Sequence, residues 1–315
     1  MKLTIKDIAV LAKVGKSTVS RVLNNDPKVS EATRQKVEAI IQQYGFQPSK
    51  SARAMRGVAN KTIGIIVTRL SSSAENQALS SILPLLYGEQ CEPIIVESQF
   101  KPELVKEHLT FFHQRGVDGV ILFAFSELDE QDLIEWQHKM VVIAKNYPEM
   151  ASVYYQDQKA IELLMSHLYQ QGHRHIHYLG VKDHDRTTGY LRHQAYQKFC
   201  QQHQLNPCSI QGELGYEWAY QNVQAVISEQ ISAIICATDT QAIGVLKYLQ
   251  EQQLPPIQVC GVGNNPLLHF LFPNIISIDL GFAHIGKAVV EQLFALLNGK
   301  EKQHICVDCA LVLPK

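Results

Sequence analysis

Between residues 4 and 24 apolar side chains recur at helical spacing in two short runs. Ile5, Ile8, Ala9 and Ala12 mark one face of the first run, and Val19, Val22 and Leu23 mark one face of the second. Only Lys13, Val14 and Gly15 separate them, which predicts two helices joined by a tight turn, a helix-turn-helix. Thr4 is placed to cap the first helix, and Asp7, three residues on, can reach back to it. A third helical pattern runs from a Ser30 cap to Tyr44, with Val37, Ile40, Ile41 and Tyr44 expected on its inner face. Gly45 and Pro48 are expected to end it, with Phe46 folding back on Ile41.

After Asn60 the period changes. Apolar β-rich runs at 62–68, 93–97, 117–123 and 140–144 are separated by helical stretches. A second series follows at 175–181, 231–237, 257–262 and 275–279, with a last strand expected near 304–313. Strands alternating with helices predict parallel sheets. The expected fold class is an all-α helix-turn-helix headpiece plus an α/β two-lobed core of doubly wound parallel sheets.

A chain of 315 residues with 46% hydrophobic composition is long enough for two or three compact units. Its net charge is −1, but residues 1–60 hold eleven Lys and Arg against four Asp and Glu, a local +7 that leaves −8 for the rest. Basic charge is therefore concentrated where an anionic polymer would be met. On the polar face of the second helix, Lys16, Ser17, Ser20, Arg21 and Asn24 supply donors and acceptors suited to base edges and phosphates. The stretch SKSARAMRG at 49–57 is basic and too short to be a stable helix alone.

Charges interleave the first fifteen residues and no long apolar run occurs, so neither a secretory signal nor a membrane span is expected. Seven cysteines, scattered from Cys91 to Cys309, read as free thiols of a cytoplasmic protein. Cys306 and Cys309 have metal-like spacing, but an offset of three along a strand sends their side chains to opposite faces. His173, His175 and His177 alternate, as a surface metal site or a half-exposed strand edge would have them. There is no GxSxG elbow, no HExxH and no complete Walker loop, and GVGNNP carries only two glycines of a dinucleotide fingerprint. Neither catalysis nor a cofactor or metal is expected.

Ligands of open α/β sheets lie beyond the carboxyl ends of the strands. Arg69 follows the first strand, Lys145 the fourth, and Arg192 opens a helix of the second lobe. Convergence of the three would favour an anionic group, most simply a phosphate. Ser71, Ser72 and Ser73 stand where a helix should begin, and Asp185, Arg186, Thr187 and Thr188 form a second polar loop. Glu75 and Asp239 are candidates to accept from sugar hydroxyls, and Phe123, Phe125 and Phe282 to meet apolar sugar faces.

The segments TIKDIA, VGKSTVSRVLNN, VSEATRQKV and SARAMRG resemble the headpiece and hinge of the lactose/galactose repressor family of bacterial transcription regulators. The resemblance continues over the whole chain and implies a periplasmic-binding-protein-like core. It implies a DNA-binding headpiece at 1–47, a hinge at 48–60 and an effector-binding and dimerisation core at 61–315. Lobe one would take about 61–155 and 281–299, and lobe two about 156–280 and 303–315. By position, Lys16, Ser17 and Arg21 would read bases, with Thr4, Thr18 and Asn24 nearer the DNA backbone. Arg53 and Met55 would belong to a hinge helix ordered on operator DNA, Met55 as a minor-groove wedge, unless the segment is simply a disordered basic linker. No leucine heptads follow the last strand, so a homodimer is expected.

Within the family, VTRLSSSAEN, ESQF, ATDTQAIG, TTGYLRHQAY and VGNNP are most similar to the trehalose branch. That branch implies trehalose 6-phosphate as effector, held by Arg69 through Glu75, Ala124, Lys145, Asp185 through Thr188, Arg192, Thr240 and Phe282. Lys13 departs from the family's usual turn glycine, and Gly15 from its commoner serine cap. Lys145 lacks an arginine's fork, and Phe282 lacks a tyrosine's hydroxyl. The alternatives are a family member answering to an unphosphorylated sugar or other metabolite, and a cytoplasmic sugar-phosphate enzyme.

Overall fold

Thr4 fixes the start of the first helix in the computed structural model, which describes residues 4–23, 26–44 and 60–314. Its hydroxyl accepts from the Asp7 N–H, and Asp7 Oδ2 accepts from the Thr4 N–H at 2.7 Å. Helix α1 (Ile5–Leu11) leads to α2 (Lys16–Leu23) and α3 (Glu31–Gln43). Lys13 takes the left-handed turn conformation (φ 52°) that a glycine would adopt freely, at roughly 1 kcal/mol. The Gly15 carbonyl then accepts from the N–H groups of Thr18 and Val19 to begin α2. Ile8, Ala12, Val19 and Val37 are fully buried, and Ile5, Val14, Leu23, Ile40 and Ile41 pack around them.

Tyr44 departs from its expected inward position and is 46% exposed. It is the C-cap of α3, already outside helical geometry, so the period from Val37 no longer aims its side chain. The expected contact of Phe46 with Ile41, and the hinge from Ser49 to Gly57, lie outside the described residues.

Residues 61–315 form a second compact unit. Its first lobe is built from β1 (Thr62–Val67), α4 (Ser73–Gly88), β2 (Glu92–Glu97), α5 (Pro102–Gln114), β3 (Gly119–Phe123), β4 (Met140–Ile143) and β5 (Ala151–Tyr155). The second contains α6 (Asp157–Gln170), β6 (Ile176–Val181), α7 (Arg192–Gln202), β7 (Ser209–Gly212) and α8 (Tyr216–Asn222). It continues with β8 (Ala233–Cys236), α9 (Asp239–Glu251), β9 (Gln258–Val262), α10 (Pro266–Leu271) and β10 (Ile276–Asp279). Helix α11 (Gly286–Leu297) then returns to the first lobe, and β11 (His304–Val307) and β12 (Ala310–Val312) end the described chain.

The two sheets run β11-β5-β4-β3-β1-β2 and β12-β10-β9-β8-β6-β7. Pairing is parallel throughout the described residues except between β10 and β12. Parallel strands covered on both faces read as unbroken apolar runs, as β1, β3 and β4 do. Ile63 and Ile65 meet α4 and α11 on one face, while Ile66 and Leu122 meet Val105 and Phe112 of α5 on the other. Helices α4 and α11 approach backbone to backbone: a Cβ at Gly286 would lie 2.2 Å from the Ser81 carbonyl, so only glycine fits.

The apparent last strand is two strands in two different sheets. β11 pairs with β5, so residues 304–307 belong to the first lobe rather than to the second, and only β12 joins the second sheet. Strands β5 and β7 were not expected: ASVYY and SIQG are short and lack a strong apolar run. Of the alternating histidines only His177 lies in β6, and its Nδ1 meets the Val226 carbonyl in the interior, so the three do not share a strand face.

Candidate functional site

Helix α2 turns Val19 and Val22 inward and leaves Lys16, Ser17 and Arg21 exposed, with Thr18 and Ser20 half-buried. The Arg21 guanidinium lies 3.9 Å from the Asp26 carboxylate, an exposed pairing that leaves its donors accessible. Thr4 is exposed, but its hydroxyl is engaged by Asp7 at 2.6 Å within the cap. Asn24, Arg53 and Met55 lie outside the described residues.

In the core, a cleft of about 430 Å³ opens between the lobes where the carboxyl ends of both sheets meet. Arg69, Ser71, Ser72, Ser73, Glu75 and Ala124 line it from the first lobe. Asp185, Thr187, Thr188, Arg192, Asp239, Thr240 and Phe282 line it from the second and the crossover. The expected convergence of three cations is only partly realised. Arg192 is buried, and its Nε and Nη2 contact Asp157 Oδ1 at 2.8 and 2.7 Å, while Nη1 donates to the Ala237 carbonyl. Its charge is thus already balanced inside the protein. Lys145 does not line the cleft: Ala144 before it has φ 76°, and the Lys145 ammonium donates to the carbonyls of Ser126 and Leu128 at 3.2 and 3.1 Å. Arg186 is exposed and lies over the Tyr190 ring.

Arg69 is different. Among the described residues no carboxylate pairs with it, its Nε is buried without a hydrogen-bond partner, and its guanidinium lies over the Phe100 ring. Beside it begins α4, whose N-cap Ser72 hydroxyl accepts from the Glu75 N–H at 3.3 Å. A helix start and a free guanidinium together favour an anion.

The carboxylates expected to meet sugar hydroxyls are instead engaged by the protein. Glu75 accepts from the Thr68 N–H at 2.8 Å and from the Thr68 hydroxyl, and burial raises its carboxyl above the ordinary value. Asp185 Oδ1 accepts from Thr187 and Thr188 N–H, capping the π-helical turn Arg186–Leu191. Asp239 accepts from the Asn265 N–H at 2.7 Å and the Ser277 hydroxyl at 2.8 Å, and burial pushes it up to about 6. An acid raised in the folded state stabilises below its unfolded value of 3.8 and loses that contribution as pH rises through about 6. Asp239→Asn is therefore expected to flatten this part of the stability curve between about pH 4 and pH 6, on the order of 3 kcal/mol. Urea midpoints across that range check it, and parallel curves for variant and parent would refute it.

Hydrogen bonds also cross the cleft. Asn265 Nδ2 donates to Ser73 Oγ at 2.9 Å, Gln77 Nε2 to the Gly263 carbonyl at 3.2 Å, and the Arg186 N–H to Ser126 Oγ at 2.6 Å. Phe282 meets Tyr155 edge-on with centroids 4.8 Å apart, and Phe123 and Phe125 form part of the wall. Asp157, Tyr155, Phe100 and Asn265 are among the lining residues that sequence patterns missed. Asp157 and Tyr155 follow from β5, itself unrecognised, and Asn265 was within reach as the Asn-Pro cap of α10.

A family profile described as bacterial regulatory proteins, lacI family, matches residues 4–49, and one described as a periplasmic binding protein-like domain matches residues 165–312. The chain is 49% identical over 311 residues to the HTH-type transcriptional regulator TreR of Escherichia coli K12, covering 98% of this chain and 99% of that one. It is 48% identical to TreR of Salmonella typhimurium LT2, over 99% of this chain and 98% of that one. Among solved structures, the trehalose repressor from Escherichia coli superimposes with a TM-score of 0.79 at 45% identity, over 80% of this chain and all (100%) of that one. A lac repressor dimer bound to operator and an anti-inducer gives a TM-score of 0.81 at 23% identity, over 99% of this chain and 98% of that one, a likeness of fold.

Proposed function

Since the chain belongs to the lacI family of bacterial regulatory proteins and is a DNA-binding transcriptional repressor rather than an enzyme, we propose that trehalose 6-phosphate controls its hold on operator DNA. The observation that carries this reading is Arg69, a cleft guanidinium at the start of α4 that forms no ion pair among the described residues and whose buried Nε has no hydrogen-bond partner. A phosphate there would take two parallel N–H bonds from the guanidinium and more from Ser71, Ser72 and Ser73. The sugar rings would lie against Phe123, Phe125 and Phe282, with Thr187, Thr188 and Thr240 near their hydroxyls. Arg192 would offer the N–H groups that Asp157 and Ala237 leave over. Lys145, in place of a direct contact, would steady the 126–128 loop whose Ser126 meets Arg186 across the cleft.

Titration calorimetry with trehalose 6-phosphate, trehalose and glucose 6-phosphate tests the reading. The phosphorylated disaccharide is expected to bind most tightly, and equal binding of all three defeats the assignment. Effector and operator are coupled, so if one weakens the other by some factor the reverse must hold as well. A gel-shift titration with and without trehalose 6-phosphate gives the sign, for which release of operator is expected.

The proposed assembly is a cytoplasmic homodimer whose two headpieces read half-sites of a near-palindromic operator. Leu267, Phe270 and Leu271 of α10 are exposed, Phe270 by 82%, as are Leu85 and Tyr87 near the end of α4. A second copy would cover such apolar surface. No helix among the described residues is long and apolar enough to cross a membrane. Lys16→Ala or Arg21→Ala is expected to cost operator binding about 1–3 kcal/mol where the side chain makes a good base contact. Non-specific duplex should be much less affected. Equal loss on both duplexes would make these residues phosphate anchors only.

A further inference from the structure

Phe100 stands on the loop after β2 with φ 57°, and Gln99 before it has φ 53°. Two successive left-handed residues other than glycine are uncommon, and such backbone outliers concentrate where the fold holds a side chain for use. This loop is held firmly. The Ser98 N–H donates to the Val67 carbonyl at 2.8 Å and the Gln99 N–H to the Thr68 carbonyl at 2.9 Å. The buried Ser98 hydroxyl adds a bond to Val67 at 3.2 Å. All three tie the loop to the end of β1, which runs directly into Arg69.

The consequence is a fixed meeting of ring and guanidinium. Arg69 Cζ lies 5.3 Å from the centroid of the Phe100 ring, and Phe125 backs that ring edge-on at 5.8 Å and 83°. Both rings and Arg69 line the cleft. An aromatic face attracts the flat face of a guanidinium and leaves its N–H edges directed elsewhere.

We propose that Phe100 is a positioning residue for the effector's anionic group, acting through Arg69. The ring restrains the guanidinium before any ligand arrives, so less side-chain freedom is lost when the anion binds. It also shields one face of the cation from water, which strengthens the attraction to a phosphate. The proposal rests on the sugar-phosphate reading of the cleft, and its prediction concerns discrimination between ligands rather than binding as such.

Calorimetry on the full chain, with trehalose 6-phosphate and trehalose as probes, tests it. Phe100→Leu, which keeps apolar bulk without a ring, is expected to weaken trehalose 6-phosphate by roughly 3- to 30-fold, the worth of one partly desolvated cation–π contact. Trehalose binding should be unchanged, Phe100→Tyr should restore the parent behaviour, and Phe100→Leu should add no loss in an Arg69→Ala background. Equal weakening of both sugars, or the same further loss without Arg69, would reduce Phe100 to packing and overturn the proposal. A parent protein that binds both sugars alike would overturn the sugar-phosphate reading itself, and the role of Phe100 with it.

Discussion

Asp157→Ala is expected to remove about 3–5 kcal/mol of folding stability, because it leaves the largely buried Arg192 charge without its partner. The side chains of Arg192 and Asp157 are 5% and 3% exposed, and two guanidinium nitrogens share one carboxylate oxygen at 2.7 and 2.8 Å. The Ala237 carbonyl takes another N–H, so the pair is built into the floor of the second lobe. The reverse change, Arg192→Ala, is expected to be milder. Burial already raises the Asp157 carboxyl above its ordinary value, with Arg192 acting in the opposite direction, and a carboxylate left alone can take up a proton. A guanidinium has no such escape. Urea unfolding at pH 5 and pH 7 checks both points. Arg192→Ala should recover part of its loss at the lower pH, whereas Asp157→Ala should not. A midpoint for Asp157→Ala indistinguishable from the parent would show that the pair is not closed to solvent. Arg192→Ala is thus a poor instrument for separating sensing from folding, although its position at a helix start first suggests a simple ligand contact.

That difference between position and environment runs through the cleft. Local patterns made the headpiece legible: the Thr4–Asp7 cap, the buried Val19 and Val22, and the polar face bearing Lys16, Ser17 and Arg21 all follow from helical spacing and capping chemistry. The alternating apolar runs likewise implied two parallel sheets and a site at their carboxyl ends. Pairings distant in sequence left no such trace. Asp157 and Arg192 lie on different helices, and nothing in either neighbourhood marks the other. Lys145 follows a strand end as a ligand would, but the left-handed backbone at Ala144 turns it to the carbonyls of Ser126 and Leu128. Glu75 and Asp239 reach the cleft but are occupied by backbone N–H groups and hydroxyls, because charges this buried need such partners. The division of 304–313 between two sheets is equally invisible, since apolar alternation does not say which sheet a residue joins.

Arg69→Ala is expected to do what Arg192→Ala cannot. Loss of a charge-assisted bidentate contact should weaken trehalose 6-phosphate by about 1.5–3 kcal/mol, on the order of 10- to 150-fold, and leave trehalose binding unchanged. Stability should fall by no more than the worth of its contact with Phe100, about 0.5–2 kcal/mol, because Arg69 has no ion pair to lose and its buried Nε lacks a partner. Arg69→Lys should be intermediate, retaining charge without the fork. Operator binding in the absence of sugar should match the parent, while its release by trehalose 6-phosphate should shift to higher concentration, by the same factor as the affinity loss where Arg69→Ala leaves the coupling between the two sites unchanged. Calorimetry and gel shift on one preparation therefore provide two independent readings of a single number. Agreement between them would make Arg69 the contact through which the anion reaches the operator-binding equilibrium. Unaltered affinity for trehalose 6-phosphate in a folded Arg69→Ala protein would remove the phosphate from this part of the cleft, and the observation that favours a phosphorylated effector would go with it.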